Sequence, residues 1–119
     1  MLYGDSPGPS NPEGHTTPVQ VLVDAAFWDH SHTDEGRAML QVVHDAAPGA
    51  ALAFGCGQGG EGFLATRIRD LRAAGCDVIV DDLLYPTEPM FQDVVVAQAV
   101  DEVVRAGTCY ERRGETTAE

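Results

Sequence analysis

Apolar residues occur along this chain in two arrangements, short continuous runs and longer stretches with helical spacing. Three short runs are typical of buried strands: VQVLVD at 19–24, ALAF at 51–54 and DVIVDD at 77–82. Helical spacing predicts three helices, at about 34–47, 61–74 and 89–106. TCY at 108–110 is expected to begin a fourth strand. Strands that alternate with helices of this length predict an α/β fold with three layers, a parallel sheet and flanking helices.

Each predicted helix has an apolar face that is expected to be buried. The residues of these faces are Met39, Val42, Val43 and Ala46 in the first helix, Leu64, Ile68 and Leu71 in the second, and Val96, Ala99, Val100 and Val103 in the third. Gly75 and Gly107 follow the second and third helices, where a left-handed residue commonly ends a helix. We therefore expect one domain over 18–110, a flexible N-terminal tail at 1–17 and a flexible C-terminal tail at 111–119.

The charge of the chain argues against two classes of partner. Its 119 residues carry a formal net charge of −12, and every basic residue is an arginine. No basic stripe offers a surface for nucleic acid or for an anionic membrane. No apolar run approaches the roughly 20 residues of a membrane span, and no export signal is recognised, so a soluble chain is expected. Its compartment and oligomeric state stay open.

A glycine-rich segment joins the second predicted strand to the second helix. Residues 55–60 satisfy the G-x-G-x-x-G pattern, and FGCGQG also resembles the first motif of class I methyltransferases. Asp81 and Asp82 follow about 20 residues later, where a dinucleotide fold places its ribose-binding acid. Ala53 stands where methyltransferases usually carry an acid. One hypothesis is therefore a small Rossmann-like domain that binds a dinucleotide or S-adenosylmethionine. A plain strand-to-helix loop is the alternative.

Longer runs on both sides of the glycines resemble another family. DEGRAMLQVVHDAAPGAALAF, IRDLRAAGCDVIVDDLLYPTEPMFQD and VAQAVDEVVRAG are similar to bacterial subtilisin-like serine peptidases, over about residues 19–110. By this resemblance, Asp24 matches the catalytic aspartate at the end of a strand. Glu35 stands where the family has its catalytic histidine, and Arg37 replaces a threonine. Glutamate as base resembles the related sedolisins, and a carboxylate base implies acidic working conditions.

The resemblance also implies a substrate cleft and a peptide or protein substrate, without a cofactor. The residues expected to line this cleft are Gly57, Gln58, Gly59, Gly60, Asp82, Leu83, Leu84 and Tyr85. They would offer backbone edges to an extended peptide. The family is often secreted, although the compartment of this chain is not indicated.

Two departures from the family pattern change the expected activity. Only about ten residues separate Asp24 from Glu35, fewer than the family has. The sequence also contains neither the oxyanion asparagine nor the G-T-S nucleophile segment. Without them acyl transfer lacks its bond-forming atom and its oxyanion donor, so an inactive, truncated peptidase domain is expected. A non-catalytic module whose exposed sheet edge pairs with another chain is a further alternative.

Other chemistry-bearing residues are interpreted as structural. The loop DHSHTDE gathers possible ligands for a transition metal: Asp29, His30, His32, Asp34 and Glu35. A solvated acidic loop is the favoured interpretation, and no metal is predicted. His44 near a helix end is interpreted as structural. The three cysteines have no C-x-x-C spacing and are expected to be small buried hydrophobic residues.

Overall fold

The computed structural model describes residues 7–9, 11–24, 35–83 and 95–112. The helices and strands, in chain order, are β1 (Gln20–Val23), α1 (Glu35–Ala46), β2 (Ala53–Gly55), α2 (Glu61–Ala73), β3 (Val78–Asp81), α3 (Val95–Arg105) and β4 (Cys109–Arg112). This order confirms the predicted alternation of strands and helices. The chain divides into two compact units, Met1–Cys56 and Gly57–Glu119. The part of the third predicted helix before residue 95 lies outside the described residues.

Both pairs of strands recorded in the structure are parallel. In the first unit β1 pairs with β2, and Val21 lies opposite Phe54. In the second unit β3 pairs with β4 in a regular ladder that runs from Val78 opposite Cys109 to Asp81 opposite Arg112. The predicted parallel pairing is therefore confirmed within each two-stranded sheet. A single sheet in a three-layer fold would require a relation between the units and stays a prediction.

The buried apolar core lies in the second unit. It consists of Leu64, Ala65, Ile68, Ile79, Val96, Ala99 and Val103, with Leu71 and Val100 packed against it. The apolar faces predicted for α2 and α3 are thus confirmed, because packing these two helices on β3 and β4 removes both stripes from water. Gly75 and Gly107 have φ angles of 96° and 98°, and they end the two helices as predicted.

The first helix, α1, turns a different side inward from the one that its sequence predicted. Val42 is 63% exposed, whereas His44 is only 3% exposed. Ala46 is also exposed, and Met39 and Val43 are half-buried. The prediction of a buried face through Val42 and Ala46 is therefore wrong. Two residues span about 200° around a helix, so turning His44 inward turns Val42 outward.

A contact at the beginning of α1 is consistent with this rotation. A Cβ added to Gly36 would lie 2.8 Å from Cε2 of Phe54, so the helix backbone passes close to the aromatic ring of β2. Gly36 and His44 are eight residues apart, which places them about 80° apart around the helix axis. None of the described apolar side chains of the first unit is fully buried. Among the described side chains of this unit, that of His44 is the buried one.

Part of the segment predicted as an N-terminal tail forms a hydrogen-bonded turn. Asn11 Oδ1 accepts hydrogen bonds from the backbone N–H groups of Glu13, at 2.9 Å, and His15, at 3.2 Å. The N–H of Gly8 donates to the carbonyl of His15 at 2.8 Å. The flexibility predicted for both tails concerns motion in solution and stays a prediction. Of the described helices, none combines the length and the apolar character that crossing a membrane requires.

Candidate functional site

The loop before α2 and the segment after β3 meet in the second unit. Gly57 is buried, and a Cβ added there would lie 2.8 Å from Cδ1 of Leu83 and 2.9 Å from Cδ1 of Leu64. Only glycine permits this approach without a shift of the two leucines. The structure therefore brings together two groups of residues that the sequence placed in one cleft, the glycine loop and the segment that begins at Asp82.

The glycine loop presents backbone to solvent beside this contact. Gly59 and Gly60 have φ angles of 122° and 114°, a conformation that residues with a Cβ rarely adopt. Gly60 caps α2 without a side chain, and its carbonyl accepts hydrogen bonds from the N–H groups of Phe63 and Leu64, both at 3.1 Å. Gln58 and Gly59 are exposed. The side of Gly59 where a Cβ would lie is covered by the Phe63 ring, at 3.1 Å, whereas at Gly60 the corresponding space is open.

The last residue of β3, Asp81, anchors the other side of the contact. Its side chain is buried, with 7% exposure, and it accepts a hydrogen bond from the Tyr110 hydroxyl. Asp81 Oδ1 also accepts from the N–H of Leu83 at 3.0 Å, an aspartate turn that holds Leu83 in place. Asp82, in contrast, is exposed. The two adjacent aspartates therefore differ in role, since one supports the segment and the other faces water.

Tyr110 is the residue of this site that the sequence did not indicate. The chain pattern showed only a short run that could begin a strand. The parallel register of β3 and β4 brings Tyr110 within reach of Asp81, which is 29 residues away along the chain. Buried polar groups are normally paired, so a carboxylate known to be buried at a strand end would indicate a hydrogen-bond donor nearby. The burial of Asp81 results from the fold and could not be read from the sequence.

Asp24 and Glu35 occupy the local positions that the sequence predicted for them. Asp24 directly follows β1, Glu35 is the first residue of α1, and both are exposed. A carboxylate at the beginning of a helix is stabilised by the helix dipole. Residues 25–34, which contain the possible metal ligands Asp29, His30, His32 and Asp34, lie outside the described residues. So do Leu84 and Tyr85 of the predicted cleft.

Several features of the glycine loop bear on the cofactor hypothesis. The missing side chain at Gly57 accommodates Leu64 and Leu83 of the same unit, rather than leaving room for a phosphate. Asp81, one of the two possible ribose-binding acids, is already hydrogen-bonded. Glu61 adds a carboxylate to the first turn of α2, where a pyrophosphate would lie in a dinucleotide fold.

The three cysteines lie in different environments, and all three are free. Burial, and the nearby Asp77 carboxylate, raise the pKa of Cys76 above its ordinary value, so its reactive thiolate is disfavoured. Cys109 is exposed, and the prediction that all three are buried is wrong there. Alternation along the strand is the reason, because the flanking Thr108 is buried and Tyr110 half-buried on the opposite side.

Within the described part of the chain, no three His, Cys, Asp or Glu side chains are arranged to hold a metal ion. In comparisons with models of protein families, with curated proteins and with solved structures, the chain matches none of them.

Proposed function

We propose that this chain is part of the catalytic domain of a serine endopeptidase of the subtilisin or sedolisin type, and that its second unit provides a peptide-binding edge. The observation that carries the proposal is the contact of Gly57 with Leu83, which joins the glycine loop to the segment after β3. The resemblance assigns both to a substrate cleft. The finer fold of the proposal is one parallel sheet with helices on both faces.

An extended peptide would bind this edge through its main chain. A Cβ added to Gly60 would meet nothing within 4 Å, so a second backbone can approach the loop closely at this residue. Asp81 and Tyr110 hold Leu83 so that the opposite side of the edge is ordered before the peptide arrives. Preorganisation of this kind lowers the entropic cost of binding. Binding by main-chain hydrogen bonds is the mode in which a peptide adds a strand to an exposed edge.

Catalysis is the part of the family function that these 119 residues lack. In the proposal Glu35 is the base and Asp24 orients it or shares its proton, but no G-T-S segment supplies a nucleophile. The chain alone should therefore hydrolyse no peptide at any pH. A chain extended with a family-type oxyanion segment and a G-T-S segment should hydrolyse peptides best below neutral pH. Glu35→Gln should abolish that activity, because its shape is kept and its basicity is lost.

Peptide binding can be tested on the chain as it exists by backbone-amide NMR. A short extended peptide should shift the resonances of residues 57–60 and of Leu83. Asp82→Trp should weaken this binding, because the exposed position allows the ring to cover the edge without entering the core. Asp77→Trp is the matched control, since Asp77 is also exposed but precedes β3 at the other end of the strand.

An N-methylated version of the same peptide distinguishes main-chain recognition from non-specific binding. It keeps the side chains and loses N–H donors, so its affinity should fall sharply. Equal binding of both peptides, or equal effects of the two tryptophan variants, would contradict the proposal. S-adenosylmethionine and NAD should produce no shifts at the loop. A micromolar dissociation constant for either cofactor, near −8 kcal/mol, would restore the cofactor hypothesis.

A further inference from the structure

The parallel sheet of the second unit has α2 and α3 packed against one of its faces. Ile79 is buried with 3% exposure and belongs to the core that these two helices form, and Tyr110 packs against the same core. Successive residues of a strand point to opposite faces of a sheet. The strand neighbours of Ile79 and Tyr110 therefore belong to the opposite face, away from α2 and α3.

Four residues make up this opposite face, which we call the open face: Val78, Val80, Cys109 and Glu111. In the ladder Val78 lies opposite Cys109, and Val80 lies opposite Glu111. Val78 is 59% exposed, and Val80 is half-buried. Cys109 and Glu111 are exposed as well. The open face therefore leaves apolar surface in contact with water, and it shares no residue with the peptide-binding edge.

The open face has the size of one short helix. Parallel sheets occur almost only where other elements cover both faces, because their strands are largely apolar. Each strand of this sheet has four residues, so the face is about 13 Å long, which corresponds to about nine residues of α-helix. A helix of about two and a half turns would thus remove the exposed valine surface from water.

The charges around the open face favour a cationic helix. The carboxylate of Glu111 belongs to the face itself, and the exposed Asp77 and Asp82 directly precede and follow β3. Arg112 lies opposite Asp81 in the ladder, outside the row that contains Glu111. The four residues of the face include no basic one, and the chain has a net charge of −12. Basic residues beside the apolar stripe of a helix would complement these carboxylates.

The composition of the open face favours a partner that binds and dissociates over a helix of the same domain. Parallel strands that are permanently buried are nearly continuous aliphatic runs. The strand β3 follows this pattern, whereas β4 places the carboxylate of Glu111 opposite Val80. A mixture of apolar and charged positions is typical of the surfaces at which separate proteins meet. Such a face stays soluble when its partner is absent.

We propose that the open face is a docking surface for a cationic amphipathic helix of a partner protein. The apolar stripe of this helix covers Val78 and Val80, and lysine or arginine residues on the flank of the stripe pair with Glu111. The docked helix lies on the side of the sheet opposite α2 and α3. Docking does not depend on peptide binding at the edge, because the two surfaces consist of different residues.

The test uses two synthetic probe peptides of about four helical turns, each held helical by a side-chain crosslink. Both have leucines along one face, and the flanks of this face carry lysine in one probe and glutamate in the other. Backbone-amide NMR of the intact chain should show saturable shifts at the four residues of the open face with the lysine probe. The glutamate probe should bind more weakly, because its charge is repelled.

Charge reversal in the chain should reverse this preference. Glu111→Lys should weaken binding of the lysine probe and strengthen binding of the glutamate probe, each about two- to fivefold, the range for exposed charge pairs. Asp101→Lys is the matched control, because it makes the same change of charge at an exposed position of α3 in the same unit. It should leave the affinities of both probes unchanged at about 0.15 M salt, where distant charges are screened.

The apolar contact is tested by Val78→Asp, which should abolish binding of both probes. Val104→Asp is its matched control, because Val104 is also an exposed valine but lies on α3. Val78→Thr keeps the branched shape that strands favour and should still weaken binding, so a folding defect of the aspartate variant does not decide the test. Urea denaturation checks that each variant is folded.

Four results would overturn this proposal. Equal binding of the two probes would mean that charge is not recognised, and equal effects of the two aspartate variants would mean that binding occurs elsewhere. The absence of saturable shifts at millimolar lysine probe would mean that the face accepts no such helix. Shifts of the same residues that grow with protein concentration in the absence of a probe, together with dimers in sedimentation, would make the occupant a second copy of this chain.

Discussion

The hydroxyl of Tyr110 donates a hydrogen bond to the carboxylate of Asp81 across the parallel strands β3 and β4. In the ladder Tyr110 lies opposite Ile79, and Asp81 lies opposite Arg112, so the phenol ring leans forward along the strand to reach its acceptor. The same carboxylate accepts the N–H of Leu83. The core of the second unit is thereby connected to the edge at which we propose that peptides bind.

Removal of this hydroxyl should destabilise the second unit. In Tyr110→Phe the buried Asp81 carboxylate loses one of its donors, which should lower the free energy of unfolding by about 1–3 kcal/mol. Urea denaturation measures the change. A double-mutant cycle with Asp81→Ala provides the control and should give a coupling energy of at least about 0.5 kcal/mol. Strictly additive effects would show that the two side chains do not interact in solution.

Alanine should have opposite effects at two glycines of the second unit. Gly57→Ala places a methyl group against Leu64 and Leu83 and should lower the free energy of unfolding by about 1–3 kcal/mol. Gly62 lies inside α2, and a Cβ there meets nothing within 4 Å. Gly62→Ala should therefore stabilise by about 0.5–1 kcal/mol, the usual gain in a helix. Urea denaturation measures both free energies of unfolding. If both alanine variants changed this free energy in the same direction, the result would contradict the close contact at Gly57.

The ion pair between α2 and α3 should make stability depend on acidic pH. Arg69 Nε lies 2.7 Å from Glu102 Oε2, and Arg69 Nη2 lies 3.0 Å from Oε1. The hydrogen bond from Arg69 lowers the pKa of Glu102 from its ordinary value of 4.5. A lowered pKa means that the stabilisation is present above pH 4.5 and is lost as the pH falls through the folded-state value.

Glu102→Gln should consequently be less stable than the parent chain near neutral pH. The difference in the free energy of unfolding should shrink as the pH falls below 4.5, and it should be small throughout because both side chains are exposed. Urea denaturation over a pH series measures it, and added salt should reduce it. Glu111→Gln serves as the control. A difference between parent and Glu102→Gln that is constant with pH would contradict this assignment.

Alkylation should distinguish the cysteines of the second unit. Cys109 is exposed, whereas burial raises the pKa of the half-buried Cys76. Iodoacetamide at mildly alkaline pH should therefore label Cys109 well before Cys76, because the thiolate is the reacting form. Mass spectrometry of the digested chain gives both rates. In urea the two rates should converge, and similar rates already in the native chain would contradict the structure.

The elements of the fold were predictable from the sequence because their signals are local. The apolar spacing of α2 and α3 reports which side of each helix avoids water, and the structure buries those sides. Gly75 and Gly107 mark the helix ends by their own backbone preference. Parallel pairing follows from strands connected through helices. The resemblance placed Gly57 and Leu83 in one cleft, and the structure brings these two residues into contact, while the function of the cleft stays a prediction.

Only the tertiary structure decided which groups meet. The apolar residues of α1 suggested a buried Val42, yet the helix turns His44 inward, where its ring contacts that of His15 in the turn at residues 11–15. The pairing of Tyr110 with Asp81 depends on strand register over 29 residues. A sequence pattern records the chemistry of each position, whereas the rotation of a helix and the register of a strand depend on packing energies summed over residues distant in the chain.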